Sequence, residues 1–151
     1  MAGRYYDDFE VGQVIAHDIH RTVTETDNLL ITALTHNPAA LHLDAEYCAG
    51  TEFGRVLVNS CFTLSLMIGV SVNDTTHRTA VANLGMDDVR FPKPVFVGDT
   101  LRIETEVQAV RLSGGRPNAG IVTFIHRAVN QDALEVASCK RHALLLRRPA
   151  A

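Results

Sequence analysis

The amino-acid sequence predicts an α+β fold in which an antiparallel sheet wraps around one long buried helix. Three observations predict it. The run CFTLSLMIGVSV at Cys61–Val72 is apolar on nearly every side, and a helix of that kind must be covered all round. From Ala80 onward the chain is β in character, with long alternating segments joined by short turns. The βαβ alternation and GxGxxG pattern of a dinucleotide-binding parallel sheet are both missing, so a meander around the helix is the economical arrangement.

Composition bounds the rest. A chain of 151 residues, 46% apolar and without a composition break, predicts one domain over residues 1–151. No stretch approaches the roughly 18 to 20 apolar residues of a membrane span. MAGRYYDDFEVGQ carries acids where a signal peptide would be apolar, and a soluble, cytoplasmic protein with no membrane partner is expected. Cys48, Cys61 and Cys139 are odd in number and lack CxxC spacing, which predicts small buried hydrophobes in place of disulfides or zinc ligands. A formal charge of -3 argues against nucleic acid as a partner.

In chain order, YYDDFEVGQ suits a surface-hugging lead-in, and Val14–Val23 alternates loosely as a first strand. His17 and His20 would point to opposite faces there, solvated or at an edge, which disfavours a shared metal ion. Thr24-Glu25-Thr26-Asp27 has the form of a capping box and opens a helix of about three turns ending near Thr35. Pro38 leaves His36–Leu41 as a loop with His42 at its end. Asp44 is the expected N-cap of a short helix, AEYCA, closed by Gly50. Asn59-Ser60 caps the apolar helix, Asn73-Asp74 ends it, and Gly69 within it suggests a close backbone approach.

Ala80–Phe91 is expected to be a strand running into Pro92 and Pro94. Leu101–Arg111 alternates, with Leu101, Ile103, Val107 and Ala109 on the dry face. Turns at Ser113-Gly114-Gly115 and Asn130-Gln131-Asp132 then return Ile121–Val129 and Leu134–Leu146.

Leu41-His42-Leu43-Asp44, Phe53-Gly54, Asn59-Ser60 and the run Arg90–Asp99, RFPKPVFVGD, resemble the motifs of MaoC-type, R-specific enoyl-CoA hydratases of the hotdog superfamily. The resemblance spans nearly the whole chain. LTHNPAALHLDAEY, FGRVLVNS and RPNAGIVTF further resemble a subgroup acting on mesaconyl-CoA or itaconyl-CoA. What the resemblance implies is a hotdog domain, reversible hydration of an α,β-unsaturated acyl-CoA thioester, and a homodimer or higher homo-oligomer. Coenzyme A would enter as part of the substrate, with no bound cofactor and no metal. Two departures stand out. The place of the family's catalytic Asp is held by Asn37, and Ser60 replaces a glycine whose backbone N–H helps form the oxyanion hole.

On that basis His42 is the expected base, since an imidazole titrating near pH 6.5 suits proton transfer. Asn37 would orient the water by hydrogen bonds without passing a proton, and His36 is a second polar candidate or a surface residue. Free N–H groups at Ser60 and Cys61, beside Asn59, would face the developing oxyanion. Arg55 is a candidate for a substrate carboxylate, and Arg90, Lys93 and Arg116 for coenzyme A phosphates. Each of these cations also reads as an ordinary surface charge, Asp44 reads first as a helix cap, and His42 with Asn37 could simply tie a Pro-containing loop. The competing functions are an acyl-CoA thioesterase, disfavoured because Phe53–Asn73 lacks any carboxylate, and a non-catalytic acyl-CoA-binding subunit.

Overall fold

The computed structural model describes residues 3–149. Its elements are β1 (Val14–Ala16), β2 (Arg21–Thr22), α1 (Glu25–Leu34), α2 (Ala45–Ala49), α3 (Ser60–Ser71), β3 (Ala80–Arg90), β4 (Thr100–Leu112), β5 (Ala119–Val129) and β6 (Glu135–Leu146). The strands form an antiparallel sheet in the order β1-β4-β5-β6-β3, with β2 pairing separately on β4. α3 packs across β4, β5 and β6, and α1 packs against α3. The expected α+β arrangement and the β4-β5-β6 meander are both present.

Local chemistry accounts for the helix starts. Thr24 Oγ1 accepts from the Asp27 N–H at 3.2 Å while the Asp27 carboxylate accepts from the Thr24 N–H at 2.8 Å, the reciprocal capping box read in the sequence. Asp44 accepts from Tyr47 N–H at 2.9 Å to start α2. His36, at φ 51, ends α1 in the left-handed region that a chain reversal demands.

The core lies between α3 and the sheet. Met67, Val70, Leu101, Ile103, Ala128, Val136 and Cys139 form one buried cluster, and Phe9, Val107, Val122, Phe124, Ala143 and Leu145 form a second. A polar belt crosses the sheet between them. Asp74 Oδ2 lies 2.7 Å from His17 Nδ1, His17 Nε2 lies 2.8 Å from Thr105 Oγ1, and Thr105 Oγ1 lies 2.8 Å from His126 Nδ1. Burial, reinforced by Arg141 and His17, pushes the His126 pKa down to about 3. It is a neutral core imidazole.

Several expectations are corrected. The first strand is broken into β1 and β2, and His17 is only 4% exposed because Asp74 and Thr105 draw it inward. α3 is not covered all round: Cys61, Ser65 and Gly69, spaced by four, form an exposed stripe, since one sheet covers only one side of it. A methyl group at Gly69 would therefore meet no neighbouring atom within 4 Å among the described residues, and the expected close approach is absent. Cys48 and Cys139 are buried as expected, but Cys61 is exposed. The alternation of β4 breaks where its pairing with β5 shifts register between Val107 and Ala109, which leaves Ala109 exposed.

Candidate active site

His42 closes a single 3-10 turn, Ala40–His42, directly before the Asp44 cap. Pro38 prevents α1 from continuing, and Asn37 folds the loop by accepting from Ala39 N–H at 3.0 Å through Oδ1. The turn is then pinned from two sides. Leu57 N–H donates to Leu41 O at 2.9 Å, and the buried Cys48 thiol donates to Leu41 O at 3.3 Å.

The His42 ring has a defined polarity. Nδ1 lies 3.0 Å from Leu57 O. A carbonyl only accepts, so Nδ1 carries the proton and the lone pair of the neutral ring sits on Nε2. Among the described residues Nε2 has no hydrogen-bond partner. This nitrogen can take up and return a proton.

The start of α3 stands opposite. Val58 N–H donates to Val95 O at 2.9 Å and Leu57 bridges Phe96, which ties the approach to α3 onto the RFPKPVFVGD segment. Asn59 is the N-cap, and its Oδ1 accepts from Cys61 N–H at 3.0 Å. This corrects the expectation of two free donors: Cys61 N–H is taken by the cap. Ser60 N–H has no partner among the described residues. It sits at the positive end of the helix dipole and can donate to an anionic oxygen.

His42, Ser60, Thr63 and Lys93 line one cavity of ≈ 370 Å³, whose remaining wall is apolar and includes Phe53, Leu57, Phe91, Val95 and Val136. Thr63 is 1% exposed, yet its hydroxyl has no hydrogen-bond partner among the described residues. A buried hydroxyl left so costs about 1–3 kcal/mol, and here it borders the cavity, where a ligand's polar atom would satisfy it. Thr63 was missed in the sequence because it reads as one more position on an apolar helix.

A second cavity also reaches His42 and is lined by Glu25, Asn28, Arg55 and Phe96. The Arg55 guanidinium lies 3.7 Å over the Phe96 ring, so it is held flat by a cation–π contact. Arg55 joins no ion pair among the described residues. Glu25 carries a carboxylate into this cavity, a feature hidden in the sequence by its helix-start context.

Other expected site residues lie elsewhere. Asn37 and His36 line a separate, shallow apolar hollow with Leu29, Pro38 and Leu43, and the Asn37 oxygen is used by the loop. Within one chain Asn37 is thus not gathered with His42 and Ser60. Of the three cations expected to meet phosphates, only Lys93 lines the His42 cavity. Arg90 borders a hollow on the sheet with Asp88, Gln108 and Lys140, because the β3 edge carries it there. Arg116 is exposed in the β4–β5 turn. No cluster of three or more metal-ligating side chains occurs among the described residues.

Residues 8–130 match the family described as MaoC like domain. The mesaconyl-CoA hydratase of Cereibacter sphaeroides is 33% identical over 150 residues, covering 99% of this chain and 43% of that protein. The chain spans 43%, 36% and 42% of the lengths of three curated relatives, so it corresponds to under half of each. Among solved structures, a monoamine oxidase regulatory protein from Archaeoglobus superimposes with TM-score 0.88 at 29% identity, covering 99% of this chain and 98% of that one. A Mycobacterium tuberculosis protein described as having a double hotdog fold superimposes with TM-score 0.87 at 26% identity, covering 99% of this chain and 46% of that one.

Proposed function

The chain belongs to the family of MaoC-like domains, and on that premise we propose that it catalyses reversible hydration of an α,β-unsaturated acyl-CoA thioester. The single observation that carries the reading is one cavity holding an imidazole with a free Nε2 and a helix N-terminus with a free N–H, at His42 and Ser60. In the hydration direction, His42 Nε2 takes a proton from water as its oxygen bonds to Cβ. The π electrons move onto the thioester oxygen, where Ser60 N–H stabilises the negative charge. Collapse of that enolate takes a proton at Cα, which the imidazolium returns. The atoms balance with water as the only co-reactant.

Mesaconyl-CoA and itaconyl-CoA are the substrates we propose, and Arg55 is the group that would meet their second carboxylate. Its support is the free, flat guanidinium over Phe96 in the cavity adjoining His42. Lys93 at the cavity rim suits a coenzyme A phosphate, with Arg90 and Arg116 available to a coenzyme A only if a second chain brings them near. A homodimer is part of the proposal. The edge strand β3 leaves Leu84 51% and Val89 40% exposed, and an open edge of this kind is a template for strand pairing. Coenzyme A as substrate fits the cytoplasmic location read from the sequence, and no helix among the described residues is long and apolar enough to cross a membrane.

The test is a panel of crotonyl-, mesaconyl- and itaconyl-CoA, with absorbance followed for loss of the conjugated thioester. Decay is expected with a branched dicarboxylyl thioester. Thiol release in place of hydration would support the thioesterase reading, and tight binding without turnover the acyl-binding subunit.

A further inference from the structure

Asn28 sits in the interior of α1 and is 2% exposed. Helix propensity gives no reason for an asparagine there, and a buried amide is costly unless its hydrogen bonds are made. Asn28 makes them to three residues on two separate segments. Its Nδ2 donates to His42 O at 3.0 Å and to Leu57 O at 3.3 Å, and its Oδ1 accepts from Asn59 N–H at 2.8 Å.

Each of these partners belongs to the site. His42 O is the backbone of the imidazole's own residue. Leu57 O is the carbonyl that holds His42 Nδ1 at 3.0 Å, so it accepts from the ring and from Asn28 together. Asn59 is the N-cap directly before the Ser60 N–H, and its Nδ2 in turn lies 3.3 Å from Thr32 Oγ1, one turn along α1 from Asn28. One planar amide therefore spans the turn that carries the imidazole and the helix start that carries the free donor. We propose that Asn28 is a positioning residue, which fixes the separation and orientation of His42 Nε2 and Ser60 N–H. The proposal rests on the hydratase reading for its kinetic consequence, but its structural content is independent of that reading.

The rigidity matters because misplacement of a reacting group by about 1 Å can cost about 10²-fold in rate. With the amide gone, Leu57 O loses a donor that holds it in place, the Asn59 cap loses its acceptor, and the imidazole and the helix start can shift separately. The apolar wall of the His42 cavity is not touched, and although Asn28 also borders the Arg55 cavity, its amide is spent on His42 O, Leu57 O and Asn59 N–H and does not hold the substrate. The loss should therefore fall on kcat with KM nearly kept.

The experiment combines kinetics with NMR of protein labelled with 15N in its histidine rings. In the wild type, His42 should hold a single Nδ1–H tautomer with a slowly exchanging ring proton. In Asn28→Ala the tautomer signal should become mixed and kcat should fall about 10²-fold, with KM changing by less than about threefold. Phe9→Ala, a cavity in the distant Phe124 cluster, serves as the control for lost stability: it should lower Tm and leave the His42 signal intact. An Asn28→Ala protein that folds and keeps both the tautomer and kcat would overturn the proposal. So would a loss of kcat matching that of Phe9→Ala at equal loss of Tm. If Asn28→Ala does not fold, wild type labelled with 15N in its asparagine side chains decides: Asn28 side-chain protons exchanging as fast as those of a surface amide overturn the proposal, and protected ones support it. A wild type inactive on every enoyl thioester would remove the hydratase reading, while the NMR comparison would still judge Asn28.

Discussion

Replacing Ser60 by proline removes its backbone N–H and its side-chain hydroxyl and almost nothing else. Ser60 is the first residue of α3, the position where proline is best tolerated because its missing N–H would have no partner inside the helix. The preceding residue must then be extended, and Asn59 already is, at φ -58 and ψ 123. The Asn59 cap to Cys61 N–H at 3.0 Å does not involve the lost group. Stability should stay level or rise by about 0.4–1 kcal/mol, through a stiffer unfolded chain. The N–H is the free backbone donor of this helix start among the described residues, so its removal should cost what loss of an oxyanion-hole donor costs, about 10²–10³ in kcat or roughly 2.7–4 kcal/mol. Ser60→Ala keeps the N–H and loses only the hydroxyl, and it should stay within about threefold of wild type. The assay is initial-rate decay of the enoyl thioester for the three proteins, alongside thermal unfolding. A folded Ser60→Pro protein with nearly wild-type kcat would refute the oxyanion role of this helix start.

The remaining predictions concern the cavity wall and the core. Thr63→Val is nearly isosteric and removes a hydroxyl that is buried without a partner among the described residues, so unfolding by urea should show equal or greater stability. If the hydroxyl serves the acyl group, kcat/KM should nevertheless fall by about tenfold or more. His126 gives a pH dependence. Its pKa is about 3 when folded against the ordinary 6.5 of a solvated histidine, so the unfolded chain binds the proton first as pH falls and stability is lost from about pH 6.5 downward. Between about pH 8 and pH 5 the loss should be about 2 kcal/mol, and His126→Phe should flatten it. Asp7, Asp8 and Asp27 are all held below their ordinary 3.8, Asp7 chiefly by the Arg148 backbone N–H. Asp8 and Asp27 are so held by hydrogen bonds that outweigh burial. Their contribution is lost only at lower pH, below the window in which His126 acts.

What was legible in the sequence was local. The Thr24–Asp27 box, the Asp44 cap, the Asn59 cap and the loop break at Pro38 are each settled within a few residues of chain, and each has the expected geometry. His42 could be singled out because it ends that loop beside a recognisable run. The misread features depend on distant partners. His17 reads as an edge residue until Asp74 and Thr105, 57 and 88 positions away, bring it inside. The apolar run of α3 states how much must be covered, but not that one sheet leaves the Cys61–Ser65–Gly69 stripe open. Asn59 could be expected to cap the helix, yet the cost of that cap, the loss of Cys61 N–H as a donor, follows only from which amide it meets. Asn28 was invisible for the same reason, since all three of its contacts lie at least 14 positions away.

Whether His42 moves the proton in hydration of an enoyl thioester is tested most directly by comparing wild type with His42→Ala in the absorbance assay on mesaconyl-CoA and itaconyl-CoA. A folded variant whose kcat is lower by about 10²–10⁴ is the expected outcome. A variant that keeps most of the wild-type rate would contradict the role given to this imidazole.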